Sequence, residues 1–198
     1  MEGRLFVISG PSGVGKGTVV KELLENNTEL QLSISATTRY VREGEVDGVN
    51  YYFKSREEFL KMIDEGEFLE WAEFCGNCYG TPKKPAMEKL NLGKDVILEI
   101  ETDGAMQVKK NFPESITIFI APPSVDTLEE RLKGRGTETD EVIKTRIEKA
   151  KCELKLIKDY DYVVVNDILE DAIHSIETII KAERMKTNRV INDLEVLK

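Results

Sequence analysis

Arg4-Leu5-Phe6-Val7-Ile8-Ser9-Gly10-Pro11-Ser12-Gly13-Val14-Gly15-Lys16-Gly17-Thr18-Val19-Val20-Lys21-Glu22-Leu23-Leu24-Glu25 is the stretch on which the fold turns. Arg4 to Ser9 is a short apolar run of strand-forming residues, a glycine-rich loop follows, and a helical pattern begins at Val19. Strand, glycine loop and helix in that order form the setting of a phosphate-binding loop. Glycines let successive backbone N–H groups point into one concavity, and the helix N-terminus adds its partial positive charge. The spacing G-x-x-x-x-G-K holds, with Gly17 where Ser or Thr is common and Thr18 one residue later. Gly10, Pro11, Ser12, Gly13, Val14, Gly15, Lys16, Gly17 and Thr18 are therefore the residues expected to wrap the phosphates of a nucleoside triphosphate. Lys16 would reach the outer phosphates, and the Thr18 hydroxyl would serve a phosphate or Mg²⁺.

Composition bounds the rest. The 198 residues suffice for one sizeable core, and 40% hydrophobic with 33% charged residues is ordinary for a soluble globular chain. The formal charge of −9 argues against general binding to nucleic acid or anionic membranes. A phosphorylated substrate must then be held by a local basic cluster. No apolar stretch approaches a membrane span and Met1-Glu2-Gly3-Arg4 does not read as a signal peptide. The expectation is a cytoplasmic protein whose three cysteines stay reduced.

Beyond the loop, apolar runs alternate with helical patterns. Leu30–Ser35, Val96–Glu101, Ile116–Ala121 and Tyr162–Val165 read as strands. Thr102–Phe112, the stretch that Ser124 can N-cap, Asp140–Asp159 and a final stripe of Leu169, Ile173, Ile176 and Ile180 read as helices. This rhythm predicts an α/β fold, a parallel sheet covered by helices on both faces. Residues 36 to about 92 interrupt it and read as an insertion. Within them Asp47-Gly48 signals a turn, Ser55-x-x-Glu58 is a capping box for a helix ended by Gly66, and Pro85–Leu92 is a short helix. Phe68–Phe74 reads as an alternating strand with Glu70, Ala72 and Glu73 on one face, and Gly76–Pro82 as loop. Trp71 is expected in the small core of this lobe.

The runs G-P-S-G-V-G-K, S-A-T-T-R-Y-V-R-E-G-E-V-D-G-V-N-Y-Y-F, E-W-A-E-F-x-G-N-x-Y-G-T, G-R-G-T and Y-V-V-V-N-D, in this order over nearly the whole chain, resemble guanylate kinases. The resemblance implies transfer of the γ-phosphoryl group of ATP to GMP, with Mg²⁺, giving ADP and GDP. It implies a single domain over 1–198, with a core of 1–35 and 93–198, a GMP-binding insertion of about 36–92 and a small lid of about 131–146. ATP and GMP are the expected partners.

The residue types suit that chemistry. A phosphate monoester is largely dianionic at neutral pH, its second pKa being ~6, so no base is needed to unmask the acceptor. The demand is to bring two anions in line and to stabilise the transferred group's charge. Arg39 and Arg42 suit a bidentate grip on the GMP phosphate. By resemblance Tyr51 and Tyr79 add hydroxyls to it. Arg131, Arg135 and Arg146 look like lid-side arginines, Arg131, Arg135 and Asn166 stand with ATP, and Lys16, Arg39, Arg42, Arg135 and Arg146 carry the catalytic expectation. Guanine presents N1–H and an amino group side by side, and one carboxylate accepts from both. By family position that carboxylate is Glu70, with Glu101 near the amino group and Ser35 and Thr81 as hydroxyl partners. Glu101 and Asp103 depart from the family's Asp and Gln, which changes the reach at Glu101. No protein-only metal site is expected; Mg²⁺ would come with ATP near Thr18, with Glu99 as a second candidate through water.

Cys75-x-x-Cys78 could suggest a metal clip, but zinc wants about four ligands, and only Cys152 and His174 remain in the sequence. Both thiols read as incidental. Two other readings compete. A catalytically inactive guanylate-kinase-like module would bind phosphopeptides, but such modules typically lose the phosphate loop. A kinase for another nucleoside monophosphate would lack the Glu70 and Thr81 setting. A signalling GTPase is disfavoured, because N-K-x-D does not occur.

Overall fold

The computed structural model describes residues 3–134 and 139–191. The expected α/β architecture is present. Strand β1 (Leu5–Ser9) is buried along its whole length, as a strand covered on both faces must be. It leads through the glycine loop into α1 (Lys16–Glu25) and β2 (Leu30–Leu32). A second stretch holds β3 (Ala36–Thr37), β4 (Tyr52–Phe53), α2 (Arg56–Asp64), β5 (Phe68–Phe74), β6 (Asn77–Pro82) and α3 (Lys83–Asn91). The alternating rhythm resumes with β7 (Asp95–Glu99), α4 (Thr102–Asn111), β8 (Ile116–Ala121), α5 (Val125–Lys133), α6 (Asp140–Leu154), β9 (Tyr162–Val165) and α7 (Leu169–Arg184). Five strands form a sheet in the order β2-β7-β1-β8-β9, with β2–β7 and β8–β9 paired in parallel. The other four form a sheet in the order β4-β3-β6-β5.

By packing, the chain divides into two units. One is built from Ile8–Thr28 and the described residues from Ile118 onward, the other from Gly3–Val7 and Glu29–Thr117. In the first, α7 packs on α1 and β9. In the second, α3 packs on β7 and α4 packs on β5. That unit also holds a small core of Ala36, Phe59, Phe68 and Cys78, with Phe59 and Phe68 stacked 4.4 Å apart.

Several expectations need correction. Gly76–Pro82 is largely strand, not loop: β6 pairs antiparallel with β5 through a two-residue turn at Cys75-Gly76. Both turn residues have positive φ, 50° and 76°, the backbone that matches the twist of paired strands. The signal was hidden because cysteine is not a usual residue for that turn. Along β5, Glu73 does not share the face of Glu70 and Ala72, because the pairing with β6 is regular from Glu70 to Phe74 and residues three apart point to opposite sides. Glu70 is buried while Ala72 and Glu73 are exposed, and a register shift between Phe68 and Glu70 breaks the alternation there and buries Leu69 as well. Glu73 instead pairs with Arg56 at 3.0 Å. Trp71 is not core, being 38% exposed. Helix α6 stops at Leu154, and Lys155–Asp159 continues as a 3₁₀ helix, the tighter turn common at helix ends; Tyr160 then sets its ring edge-on against Phe119. On α7 the buried line is Ala172, Ile176, Ile180 and Glu183, while Leu169 and Ile173 are half-buried. The capping box at Ser55, the cap at Ser124 and the Asp47-Gly48 turn are as expected.

Candidate functional site

The phosphate loop lies in the first unit. Gly10 and Gly15 show why glycine is required. Gly10 has φ +151° and a Cβ there would sit 2.2 Å from the Ile120 carbonyl oxygen; Gly15 has φ +91° and a Cβ would sit 2.8 Å from Asn166 Nδ2. Lys16 opens α1 and its Nζ donates to the Gly10 carbonyl at 2.6 Å, holding the ammonium against the loop that it follows. Thr18 is exposed in the first turn of α1. Asn166, at the end of β9, is buried and its Nδ2 donates to the Val14 carbonyl at 2.8 Å, pinning the loop's middle. Arg131 donates to the carbonyls of Asn166 (2.9 Å) and Asp167 (3.4 Å), so its guanidinium braces the same corner. Arg146 is half-buried on α6. Arg135 lies outside the described residues, as do Gly136 and Thr137 of the expected flexible break.

The second unit assembles two clusters. In one, Arg39 lies 5.4 Å from the centroid of the Tyr51 ring, and Tyr51 lies edge-on to Tyr79 at 6.4 Å. Three of the four residues expected at the GMP phosphate are thus neighbours, and Arg42 is exposed on the same segment. The sequence reading missed Glu45, which accepts both Arg39 guanidinium nitrogens at 2.8 and 3.0 Å and the Arg42 N–H at 2.8 Å. The Arg39 guanidinium and that N–H hold the Glu45 carboxyl down to about 2. Its contribution to stability is therefore complete above the usual carboxylate range and is lost as pH falls toward 2. The signal was local: R-x-x-R-x-x-E places Glu45 three residues past Arg42 and six past Arg39.

In the other cluster, Glu70 and Thr81 face each other across β5 and β6, and the Thr81 hydroxyl donates to Glu70 Oε1 at 2.6 Å. Glu70 is only 7% exposed. Burial pushes its carboxyl pKa up, against the lowering effect of the Thr81 hydrogen bonds. Gly104 on α4 closes the other side, since a Cβ there would sit 2.8 Å from Glu70 Oε2. Glu101 is the exposed N-cap residue of the same helix, and Glu99 ends β7 exposed. Ser35 is half-buried before β3, its carbonyl accepting the Tyr52 N–H. A cavity of about 510 Å³ in this unit, lined by residues such as Tyr52, Met62, Pro82 and Met87, includes none of the residues expected at GMP.

Among the described residues, no group of three or more His, Cys, Asp or Glu is arranged to hold a metal ion, and no helix is long and apolar enough to cross a membrane. Cys75 is exposed at its turn and Cys78 is buried in the small core.

The family model "Guanylate kinase" matches residues 2–183. The guanylate kinase of Halalkalibacterium halodurans is 54% identical over 190 residues, which cover 96% of this chain and 93% of that one. The guanylate kinase of Oceanobacillus iheyensis is 52% identical, with 96% and 92% covered. The crystal structure of guanylate kinase from Anaplasma phagocytophilum superposes with a TM-score of 0.74 at 36% identity, over 95% of this chain and 89% of that one.

Proposed function

We propose that this chain, which belongs to the guanylate kinase family, transfers the γ-phosphoryl group of ATP to GMP, giving ADP and GDP. The observation that carries the choice of base is the buried Glu70 carboxylate with Thr81 at its side. A buried anion is costly unless it is paired, and guanine's N1–H and amino group are the donors that suit it. The test is a coupled assay of ADP formation with ATP and each of GMP, AMP, UMP and CMP. Turnover with GMP alone is expected; equal turnover with another nucleotide, or none with GMP, would overturn the reading.

The roles follow from the chemistry. Lys16 and the loop N–H groups hold the phosphates of ATP, braced by Asn166 and Arg131. Arg39, Arg42, Tyr51 and Tyr79 hold the GMP phosphate, and Glu45 keeps Arg39 fixed for it. Glu70, Thr81, Ser35 and Glu101 read the base. The acceptor oxygen already carries charge, so catalysis consists of alignment and of stabilising charge on the transferred group. Arg146 and Arg135 supply that stabilisation. Mg²⁺ fits an exposed Thr18 hydroxyl at the head of α1; bound with ATP, it would screen the phosphoryl oxygens. We assign the activity to the cytoplasm.

Two expected results arise here. Arg146→Ala should lower kcat by about 10³ while changing GMP binding little, as befits a group that acts on transition-state charge; normal kcat would make Arg146 a surface charge. The second concerns pH. Ionised Glu70 accepts from both guanine donors, whereas its protonated form presents a hydroxyl to one of them. Burial raises the Glu70 pKa, so KM for GMP should rise as pH falls through that raised value. The phosphate of GMP, with a pKa of ~6, contributes to the profile independently. In Glu70→Gln only the phosphate's part should remain, and an unchanged profile in that variant would refute the assignment.

A further inference from the structure

The strand that carries Glu70 lies at an edge. In the order β4-β3-β6-β5, one side of β5 pairs with β6 and, among the described residues, the other side meets no strand. Edge backbone groups need partners. Here they come from the side chains of α4. Gln107 Oε1 accepts the Trp71 N–H at 3.2 Å, and Gln107 Nε2 donates to the Trp71 carbonyl at 3.0 Å. Asn111 Nδ2 donates to the Leu69 carbonyl at 3.0 Å. Gln107 and Asn111 are four residues apart, on one face of the helix, and Gly104 stands one turn earlier on that face, against Glu70 Oε2. The residues immediately before and after Glu70 are thus both tied to α4.

Glutamine is suited to this place. Its amide offers one acceptor and one donor group, as a peptide unit does, and can exchange two bonds with a single strand residue. Trp71 presents a donor and an acceptor, so only one orientation of the amide satisfies both. The bulge between Phe68 and Glu70 makes such a clamp valuable, because a bulge leaves the strand's register and side-chain aim to be set locally.

We propose that Gln107, assisted by Asn111, is a positioning residue for guanine recognition: it replaces the missing strand neighbour of β5 and so fixes the aim of the Glu70 carboxylate. This rests on the reading of Glu70 as the base-reading residue. Displacing a reacting or recognising group by ~1 Å can cost on the order of 10²-fold.

The test is steady-state kinetics of Gln107→Met, which keeps the side chain's length and removes both bonds. We expect kcat/KM for GMP to fall by about 10- to 100-fold, mostly through KM, with KM for ATP unchanged. The decisive comparison places Gln107→Met in a Glu70→Gln background. If Gln107 acts through Glu70, the second substitution adds little there. Equal losses in both backgrounds would mean a merely structural role, and wild-type kinetics for Gln107→Met would remove the role altogether. If Gln107→Met melts early, Asn111→Ala, which deletes one bond, carries the same comparison with a smaller loss. Wild-type protein inactive toward GMP would overturn the functional reading and this inference with it. Wild type active, Glu70→Gln impaired and Gln107→Met normal would overturn this inference alone.

Discussion

Glu70→Gln is expected to lower kcat/KM for GMP by about 10⁴, with KM for ATP nearly unchanged. The substitution keeps shape and exchanges one acceptor for a donor. Guanine then presents two donors to a group that can accept only through its carbonyl oxygen, and an amide hydrogen faces a hydrogen. In a site only 7% exposed, water cannot repair the mismatch, which is why polar discrimination in buried sites is large. The loss should not come from unfolding. Burial already disfavours the Glu70 charge, so neutralising it should leave the melting temperature unchanged or higher. Thermal melts and steady-state kinetics on the same preparation decide the matter. A variant that keeps GMP turnover would remove Glu70 from base recognition while leaving the phosphoryl transfer reading in place. Glu101→Gln should give the smaller loss, because Glu101 is an exposed residue at the start of α4.

Lys16→Ala is expected to bring turnover to the assay background at saturating ATP and GMP. The Lys16 ammonium stands at the head of α1 and is held on the Gly10 carbonyl at 2.6 Å, where the loop's N–H groups and the helix N-terminus already favour anions. Transfer of a phosphoryl group leaves the protein little to do except position and neutralise charge, so removing the cation removes a main component of catalysis. The fold should survive. The loop keeps its Asn166 bond to Val14, and each hydrogen bond that Lys16 gives to the Gly10 and Pro11 carbonyls is worth ~1 kcal/mol, a shift of roughly 2–4 °C in a chain of this size. Substantial turnover in a well-folded Lys16→Ala protein would show that the loop holds ATP without it.

The parts of the site that were legible beforehand are contiguous ones. The run from Leu5 to Glu25 states its own geometry: buried apolar strand, glycines with positive φ, helix. Each of those properties belongs to a residue and its immediate neighbours, so the order of residues was enough. The same holds for the Ser55 capping box and the Asp47-Gly48 turn. Glu45 was equally local and was overlooked, because a carboxylate among arginines reads as a surface charge until its bidentate bond to Arg39 is seen.

The rest depended on partners far apart in the chain. Glu70 and Glu73 were expected on one face, yet they stand three apart in a regular stretch of β5 and point to opposite sides; the bulge that the pair of strands forms lies before Glu70 and buries Leu69 beside it. Trp71 has the composition of a core residue, but the lobe's core is filled by Phe59 and Phe68 and leaves the indole exposed. Gln107 and Asn111 look like polar positions on the outside of a helix. Only the packing of α4 on β5 gives them work, at sequence separations of 36 and 42 residues. The sequence by itself determined which chemistry the chain carries, because phosphate binding needs consecutive backbone N–H groups and a lysine beside them. The tertiary structure decided how the Glu70 carboxylate is held, because the unpaired side of an edge strand takes its hydrogen bonds from whichever element the fold packs against it.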